Sequence, residues 1–446
     1  MQHAFYKWIP ALVCLAILLS PQGAVCGAES RTLVISGFNE DDVTRQFLAL
    51  HPDIRIRYDD EKQLSADRLI QAMITRDHAC DIFVINNDWG LDALGRKGYF
   101  FDLSGSEAIA ALCRGWYPQV RDALSVGSKI IAYPIALSMD VWGIDTSLST
   151  LCPLFTPPQD FLSFLQGLQS NEDIRDTFGA SYVIEVPGRE RLMRKLVQSV
   201  LLSGEQSAVQ ANFNQDAFLL CAETIRKMPE PEPVDEYLYD VLYQLPTYLS
   251  LSQDLLDPNS PYTLTAPAPL FRGQTPAIET VLTVMVVNPY SQNADLALEY
   301  LQFRTTHETP KTAYLLSPKP SKPLENPAYQ GLRAERQKRI ASLTALLEDA
   351  PPEEAYELRE QIDLLARESA REHSRWIISP ECLAAYRAIA PSMYIVKGSP
   401  LLGVGGEGLF ATIAQAVPPY LQHQIDAAQL AEQLTQKAGF LYAESQ

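Results

Sequence analysis

Apolar and polar positions alternate with two different periods along the first third of the chain. Arg31–Ser36 (RTLVIS) is an apolar run of strand length, followed by the turn Gly37-Phe38-Asn39-Glu40. Val43, Phe47 and Leu50 recur at helical spacing up to His51-Pro52. Ile54–Tyr58 alternates apolar and basic side chains, as a strand does. Ser65 is placed to cap a helix whose apolar face is Ala66, Leu69, Ile70 and Met73. Asp81–Ile85 (DIFVI) reads as a third strand and Trp89–Lys97 as a short helix ended by Gly98. Strand–helix alternation of this kind predicts a layered α/β sheet.

Gly127–Asp145 (GSKIIAYPIALSMDVWGID) contains two extended runs, Ile130–Tyr133 and the stretch through Val141 and Trp142, separated by Pro134. Proline has no N–H for a central ladder, so this segment belongs on an edge or at a crossing between lobes. A kinked edge strand and a crossover beside a ligand cleft both fit it. A second strand–helix unit follows the Pro-rich break at Cys152–Pro158. Phe161, Phe164, Leu165 and Leu168 form a helical face, Tyr182–Val186 a strand, and Leu192–Leu202 a helix. Phe213–Ile225 is a further helix with Asn212 or Asn214 as its cap. Met228–Val234 is too proline-rich for regular structure. Thr280–Val287 (TVLTVMVV) is the most β-branched run and predicts a buried strand, with Gly273–Asn288 as the second crossover. Asn293 is placed to cap the helix carrying Leu296, Ala297, Tyr300 and Leu301.

Gln330–Arg375 changes character. It is charged, and its apolar residues (Ile340, Leu343, Leu347, then Leu358, Ile362, Leu365) form two narrow stripes divided by Pro351-Pro352. This predicts an antiparallel helical hairpin, either a structural insert packed on the second lobe or a partner-binding pair. Beyond it, Leu383 and Tyr386 mark a helix, and Asp426 with Gln429 forms a capping-box pattern before Leu430 and Leu434.

Composition narrows the function. The chain has 446 residues, a formal charge of −18 and 47% hydrophobic residues, which suits two or three globular units. The acidic balance offers no basic stripe to nucleic acid. Lys7 precedes the apolar run Ala11–Leu19, too short to span a bilayer and followed by small residues, so residues 1–28 read as a signal peptide with cleavage after Ala28. Lipid attachment at Cys26 is the alternative. The remaining cysteines (Cys80, Cys113, Cys152, Cys221, Cys382) are odd in number and lack metal spacing; they read as buried hydrophobes, with a Cys80–Cys113 bridge conceivable. Gly403-x-Gly405-Gly406-x-Gly408 has neither an incoming strand nor the lysine of a phosphate loop, and reads as a loop at the cleft mouth. No metalloprotease, nucleophile-elbow or Walker motif occurs, and no catalytic residue, metal or cofactor is expected. Ligands of open α/β sheets sit beyond the carboxyl ends of strands, which points to Phe38-Asn39-Glu40 and to Asn86-Asn87-Asp88-Trp89. Turn and cap chemistry accounts equally for those polar residues.

Four of these stretches, in this order, resemble the extracellular family 1 solute-binding proteins of ABC importers, of the maltose-binding-protein-like kind. They are LVISGFNEDDVTRQFLALHPDIRIRYDD, DIFVINNDWG with GYFFDLSG, GSKIIAYPIALSMDVWGID, and APLFRGQTPAIETVLTVMVVNPYSQNADLALEYLQF. Together they span most of Arg31–Arg304; the hairpin departs from the pattern. The resemblance implies an α/β type II periplasmic-binding-protein fold of two lobes joined by crossover strands. Lobe 1 would hold 29–138 and 285–316, and lobe 2 would hold 139–284 and 317–446 with the hairpin 330–375. It implies a monomeric receptor, exported to the periplasm or cell surface, that closes on a small polar ligand, a sugar or oligosaccharide, and hands it to an ABC permease. A ligand-sensing protein and a secreted glycosidase are the rival readings. The site residues so implied are Phe38, Asn39, Asn87, Asp88 and Trp89 at strand ends, Ser138 and Asp140 in the first crossover, and Arg189 and Glu190 in lobe 2. Ser138 stands where maltose binders carry a ligand-contacting acidic residue, so the specific maltose contact is missing.

Overall fold

The computed structural model describes residues 31–59, 64–139, 141–145, 159–166, 188–206, 211–228, 255–258, 262–266, 269–272, 274, 276–348, 350–370, 375–395 and 409–444. The expectations placed on residues 1–28, Cys26, Asp140, Cys152, Leu168, Tyr182–Val186 and Ser399–Gly408 lie outside the described residues.

The strands are β1 (Arg31–Ser36), β2 (Ile54–Asp59), β3 (Ile82–Asn86), β4 (Ser125–Val126), β5 (Lys129–Ile130), β6 (Tyr133–Met139), β7 (Trp142–Asp145), β8 (Tyr262–Thr265), β9 (Ile278–Val287), β10 (Leu324–Glu325), β11 (Trp376–Ile378) and β12 (Met393–Ile395). The main sheet runs β12-β9-β3-β1-β2, and β6 also pairs with β9. β1, β2 and β3 are mutually parallel, and β9 is antiparallel to both β3 and β6. β9 explains its own composition. Thr283–Met285 is flanked by β3 on one side and β6 on the other, and Val284, Val286 and Val287 have no exposed surface. Each such side chain stabilises the fold by roughly 1.5–3 kcal/mol. Pro134 sits in β6, which pairs only with β9, at a register shift between Pro134 and Ala136. The missing N–H is absorbed by an edge strand and a bulge, as the sequence required.

The helices Asp42–Leu50 and Ala66–Thr75 pack on this sheet. Ser65 caps the second by accepting from Arg68 N, as expected. Leu50, however, is 66% exposed; the buried face of the first helix is Val43, Thr44 and Phe47. Asn293 occupies the N-cap position of the helix Ala294–His307 without a side-chain capping bond. Its amide points instead to the Asp81 carboxylate, which also accepts from Val34 N and Ser291 Oγ. Likewise, neither Asn212 nor Asn214 caps the helix Asp216–Lys227; Gln215 is the cap residue, and the Asn212 side chain closes a local turn onto Asn214 N. The expected capping box is formed at the last helix, Ala427–Glu444, where Asp426 Oδ1 accepts from Gln429 N (2.8 Å) and Gln429 Oε1 from Asp426 N (2.9 Å).

Two hydrophobic cores result. The first gathers Leu33–Val141, Leu255-Leu256, Ile278–Leu316 and Ile378–Ile395. The second, built from helices and the loops beside them with no strand among the described residues, gathers Phe161–Met228, Leu270 and Ala416–Ala438. Residues 378–395 therefore pack with the first core rather than with the second lobe. The reason is that β12 extends the main sheet beside β9, and the helix Pro380–Ile389 buries Leu383, Tyr386 and Ile389 there. The hairpin forms as expected, from the helices Tyr329–Glu348 and Pro352–Ala370. It is rooted in the β10–β11 ladder, whose Leu324, Ile377 and Ile378 pack on the first core, so it is not an insert laid on the second lobe. Cys80, Cys113, Cys221 and Cys382 are free thiols; there is no Cys80–Cys113 bridge. Among the described residues no helix is long and apolar enough to cross a membrane, and no His/Cys/Asp/Glu cluster could hold a metal.

Candidate functional site

Strand polarity fixes where a site can be. β1, β2, β3 and β6 all end at one edge of the main sheet, with Met139 opposite Thr280 near the start of β9. Along the chain the core residues pass from the first core at Val141 to the second at Phe161, back to the first at Leu255-Leu256, to the second at Leu270, and to the first again at Ile278, where β9 starts at this same edge. Gln198, on a helix of the second core, donates to the Glu279 carboxylate of β9 there. The carboxyl edge thus faces the chain passages between the cores, the position where open α/β sheets hold ligands.

Gly37 opens the first loop at this edge. Its φ of +77° is left-handed, and a Cβ there would lie 2.6 Å from Val84 O, so only glycine serves. The next residue, Phe38, is half-buried, with its ring 6.4 Å from that of Tyr58 and the Arg304 guanidinium 5.6 Å from its centroid. Asn39 is exposed. Behind Phe38 lies a network that sequence reading did not find. Arg304, only 2% exposed, donates to Asp41 Oδ2 (2.9 Å), Glu308 Oε1 (2.7 Å) and Tyr300 Oη (2.9 Å). Thr44 Oγ donates to Asp41 Oδ1 (2.6 Å), so the proton between Thr44 and Tyr300 (2.7 Å) comes from the phenol. Burial raises the Asp41 carboxyl, but hydrogen bonds from Arg304 and Thr44 outweigh that and hold it below its ordinary value. At Glu308 burial wins over the same arginine and the carboxyl is raised.

The end of β3 holds the second cluster. Asn87 is buried, and its Oδ1 accepts from Leu282 N at 2.6 Å while its own N donates to Leu282 O. It prolongs the β3–β9 ladder with a side chain, which gives its Oδ1 a structural place in the fold. Asp88 differs. Its Oδ1 is buried and has no hydrogen-bond partner among the described residues, and burial raises its pKa. Trp89 is half-buried against the first core. Ser138 is half-buried on β6 and its hydroxyl turns to Val281 O at 3.5 Å.

The two residues expected from the second lobe are not brought to this edge by any described contact. Arg189 donates to Arg226 O (3.3 Å) within the second core. Glu190 is exposed and ion-paired to Arg194 (2.7 Å), one turn along the same helix. An i,i+4 pair of this kind is a surface feature contributing a few tenths of a kcal/mol. The structure therefore unites Phe38, Asp88, Trp89 and Ser138 along one edge, gives Asn87 a backbone role, and leaves Glu190 on a solvated helix face. The missed residues, Arg304 and Glu308, carried only one signal: a cation and an anion one turn apart at the end of a helix whose inner face is Leu296, Ala297, Tyr300 and Leu301.

No protein-family model matches the chain, and no curated protein matches it in sequence. Solved structures do match. A protein of Synechococcus sp. MITs9220 assigned as an oligosaccharide periplasmic-binding protein is 17% identical, with a TM-score of 0.53 over 92% of this chain and 99% of that one. The GacH receptor of Streptomyces glaucescens, known unliganded and with acarbose, is 11% identical with a TM-score of 0.54 over 92% and 98%. A sugar transporter protein of Rhizobium etli in an open conformation is 13% identical with a TM-score of 0.54 over 92% and 99%. At these identities the likeness concerns the fold: the chain has the mixed α/β, type II periplasmic-binding-protein fold of the maltose-binding-protein-like solute receptors.

Proposed function

We propose that this chain is an exported solute-binding protein that captures a small polar ligand, a sugar or oligosaccharide, at the carboxyl edge of its main sheet and delivers it to an ABC permease by closure of the two lobes. One observation carries the reading: Asp88 presents a buried carboxylate oxygen with no partner among the described residues at the strand-end edge. A buried acceptor left unmade costs roughly 1–3 kcal/mol, more for a charge, and a ligand hydroxyl removes that cost. Phe38 and Trp89, half-buried at the neighbouring strand ends, supply aromatic faces for a sugar ring. The three structural relatives are described as sugar binders or transporters, which agrees with this ligand class. A glycosidase would need a second carboxylate across the site, and the candidate, Glu190, is engaged with Arg194. The reading is therefore of a receptor and not of an enzyme.

Thermal shift of the mature protein against a carbohydrate and polyol panel tests it. A sugar that raises Tm for the native chain and not for Asp88→Asn is the expected result. Stabilisation only by amino acids, peptides or metal ions would remove the sugar assignment.

A further inference from the structure

The helical hairpin is the largest feature the receptor reading leaves unused. Its two helices, 20 and 19 residues long, extend roughly 30 Å from the β10–β11 root and pack chiefly on each other. Among their described side chains only Tyr329 and Leu343 are buried. Leu346, Tyr356 and Leu364 are 61%, 70% and 59% exposed, a large apolar surface to leave in water on so thin an element.

The charges are sorted along the hairpin. In the root half of the first helix four cations (Arg333, Arg336, Lys338, Arg339) outnumber one anion, Glu335; in the tip half of the second four glutamates (Glu353, Glu354, Glu357, Glu360) outnumber one cation, Arg359. In an antiparallel pair turning near residue 350, the two groups are centred about 10 Å apart along the axis. They do not neutralise each other. Arg333, Lys338, Arg339, Glu354, Glu357 and Glu360 form no ion pair among the described residues, and all six are exposed. The hairpin is therefore basic at its root and acidic towards its tip.

We propose that this hairpin is a self-association surface whose partner is the hairpin of a second copy of this chain. A two-fold axis across the hairpin sets the acidic tip of each copy against the basic root of the other, and covers the exposed leucines and tyrosine. A side-by-side parallel arrangement would oppose like charges, so the sorting selects the antiparallel one. A uniformly charged partner, such as an anionic membrane, would match only one half. The face is on the order of 600 Å² per copy, at the low end for specific complexes, so the dimer is weak, concentration-dependent and salt-sensitive. It departs from the monomer expected from the sequence, and it is independent of the ligand site.

Analytical ultracentrifugation of the full mature chain tests the proposal. The native protein is expected to form a dimer that dissociates with dilution and with salt. Glu354→Lys/Glu357→Lys/Glu360→Lys turns the tip half of the second helix net basic, like the root, and Arg333→Glu/Lys338→Glu/Arg339→Glu turns the root half of the first helix net acidic, like the tip. Each alone is expected to weaken self-association by at least about tenfold. An equimolar mixture of the two is expected to restore a dimer, since each tip then meets an opposite root. A native chain that stays monomeric at every concentration overturns the proposal, whether or not it sediments with vesicles. So does a dimer indifferent to both charge reversals. Circular dichroism and unchanged Tm confirm that the variants are folded.

Discussion

The guanidinium of Arg304 meets the carboxylate of Asp41 at 2.9 Å, joining residues 263 positions apart. Asp41 is also the N-cap of the helix Asp42–Leu50, accepting from Thr44 N at 2.8 Å. One carboxylate thus ends a helix and anchors a buried cation directly behind Phe38. Arg304→Met would leave Asp41 and Glu308 without their counter-charge. A loss of about 3–5 kcal/mol is expected, since breaking a buried pair strands the remaining charge. Denaturant unfolding reads this directly. Arg304→Met/Glu308→Gln should recover part of the loss; equal stability of both variants and the native chain would show that the network is energetically idle.

Asp88→Asn separates stability from binding. Burial raises the Asp88 pKa in the folded state, so the proton is held more tightly folded than unfolded. The folded state is then favoured at low pH, and that advantage is lost as pH rises through the raised value. At neutral pH the charged, unpartnered carboxylate destabilises the empty protein. Asp88→Asn is therefore expected to match or exceed the native Tm at pH 7. The two should converge or cross as pH falls towards the ordinary carboxylate range. The same variant should bind the sugar at least tenfold more weakly, by about 1.4 kcal/mol or more. Native-like affinity in the variant would move the binding role elsewhere.

Asn87→Ala makes the opposite pattern. Leu282 N would lose its only 2.6 Å side-chain acceptor in the sheet interior. A destabilisation of about 1–3 kcal/mol follows from an unmade buried bond. Ligand affinity of the folded variant should change little. A large loss of affinity without a loss of stability would return Asn87 to the ligand contacts.

The thiols give a chemical check. Burial pushes Cys80 and Cys221 up to about 12, which leaves almost no thiolate at neutral pH. Among the described cysteines, Cys382 alone is not fully buried. Mass spectrometry after brief alkylation of the native protein should find Cys382 modified first, and Cys80, Cys113 and Cys221 only after unfolding. Rapid native labelling of Cys80 or Cys221 would contradict the burial.

Much of the architecture was readable because local periodicity and burial have the same cause. LVI of Arg31–Ser36, IFVI of Asp81–Ile85 and VMVV of Thr280–Val287 are apolar without interruption and buried at every position, since both faces of the sheet are covered there, and β1, β3 and β9 lie where those runs lie. Ser65 and the Asp426–Gln429 pair were also legible, because a cap satisfies backbone groups within three residues of itself. The hairpin was legible as two stripes, but its root was not: nothing local in Gln330–Arg375 says that Leu324 and Ile378 belong to the first core. The strand-end rule points to one edge without telling Asn87 from its neighbour Asp88. They differ only in which backbone lies opposite, and that is set by the β3–β9 register.

Alone, then, the sequence determined the elements and the side of the sheet on which a ligand could sit, because strand length, polarity and capping are short-range consequences of side-chain size and backbone hydrogen bonding. Tertiary structure decided which polar groups are spent on the protein itself and which are left over. Arg304 finds Asp41, Asn87 finds Leu282, and Asp88 Oδ1 finds nothing. Those outcomes depend on partners hundreds of positions away, and desolvation assigns its cost only once the chain has closed around them.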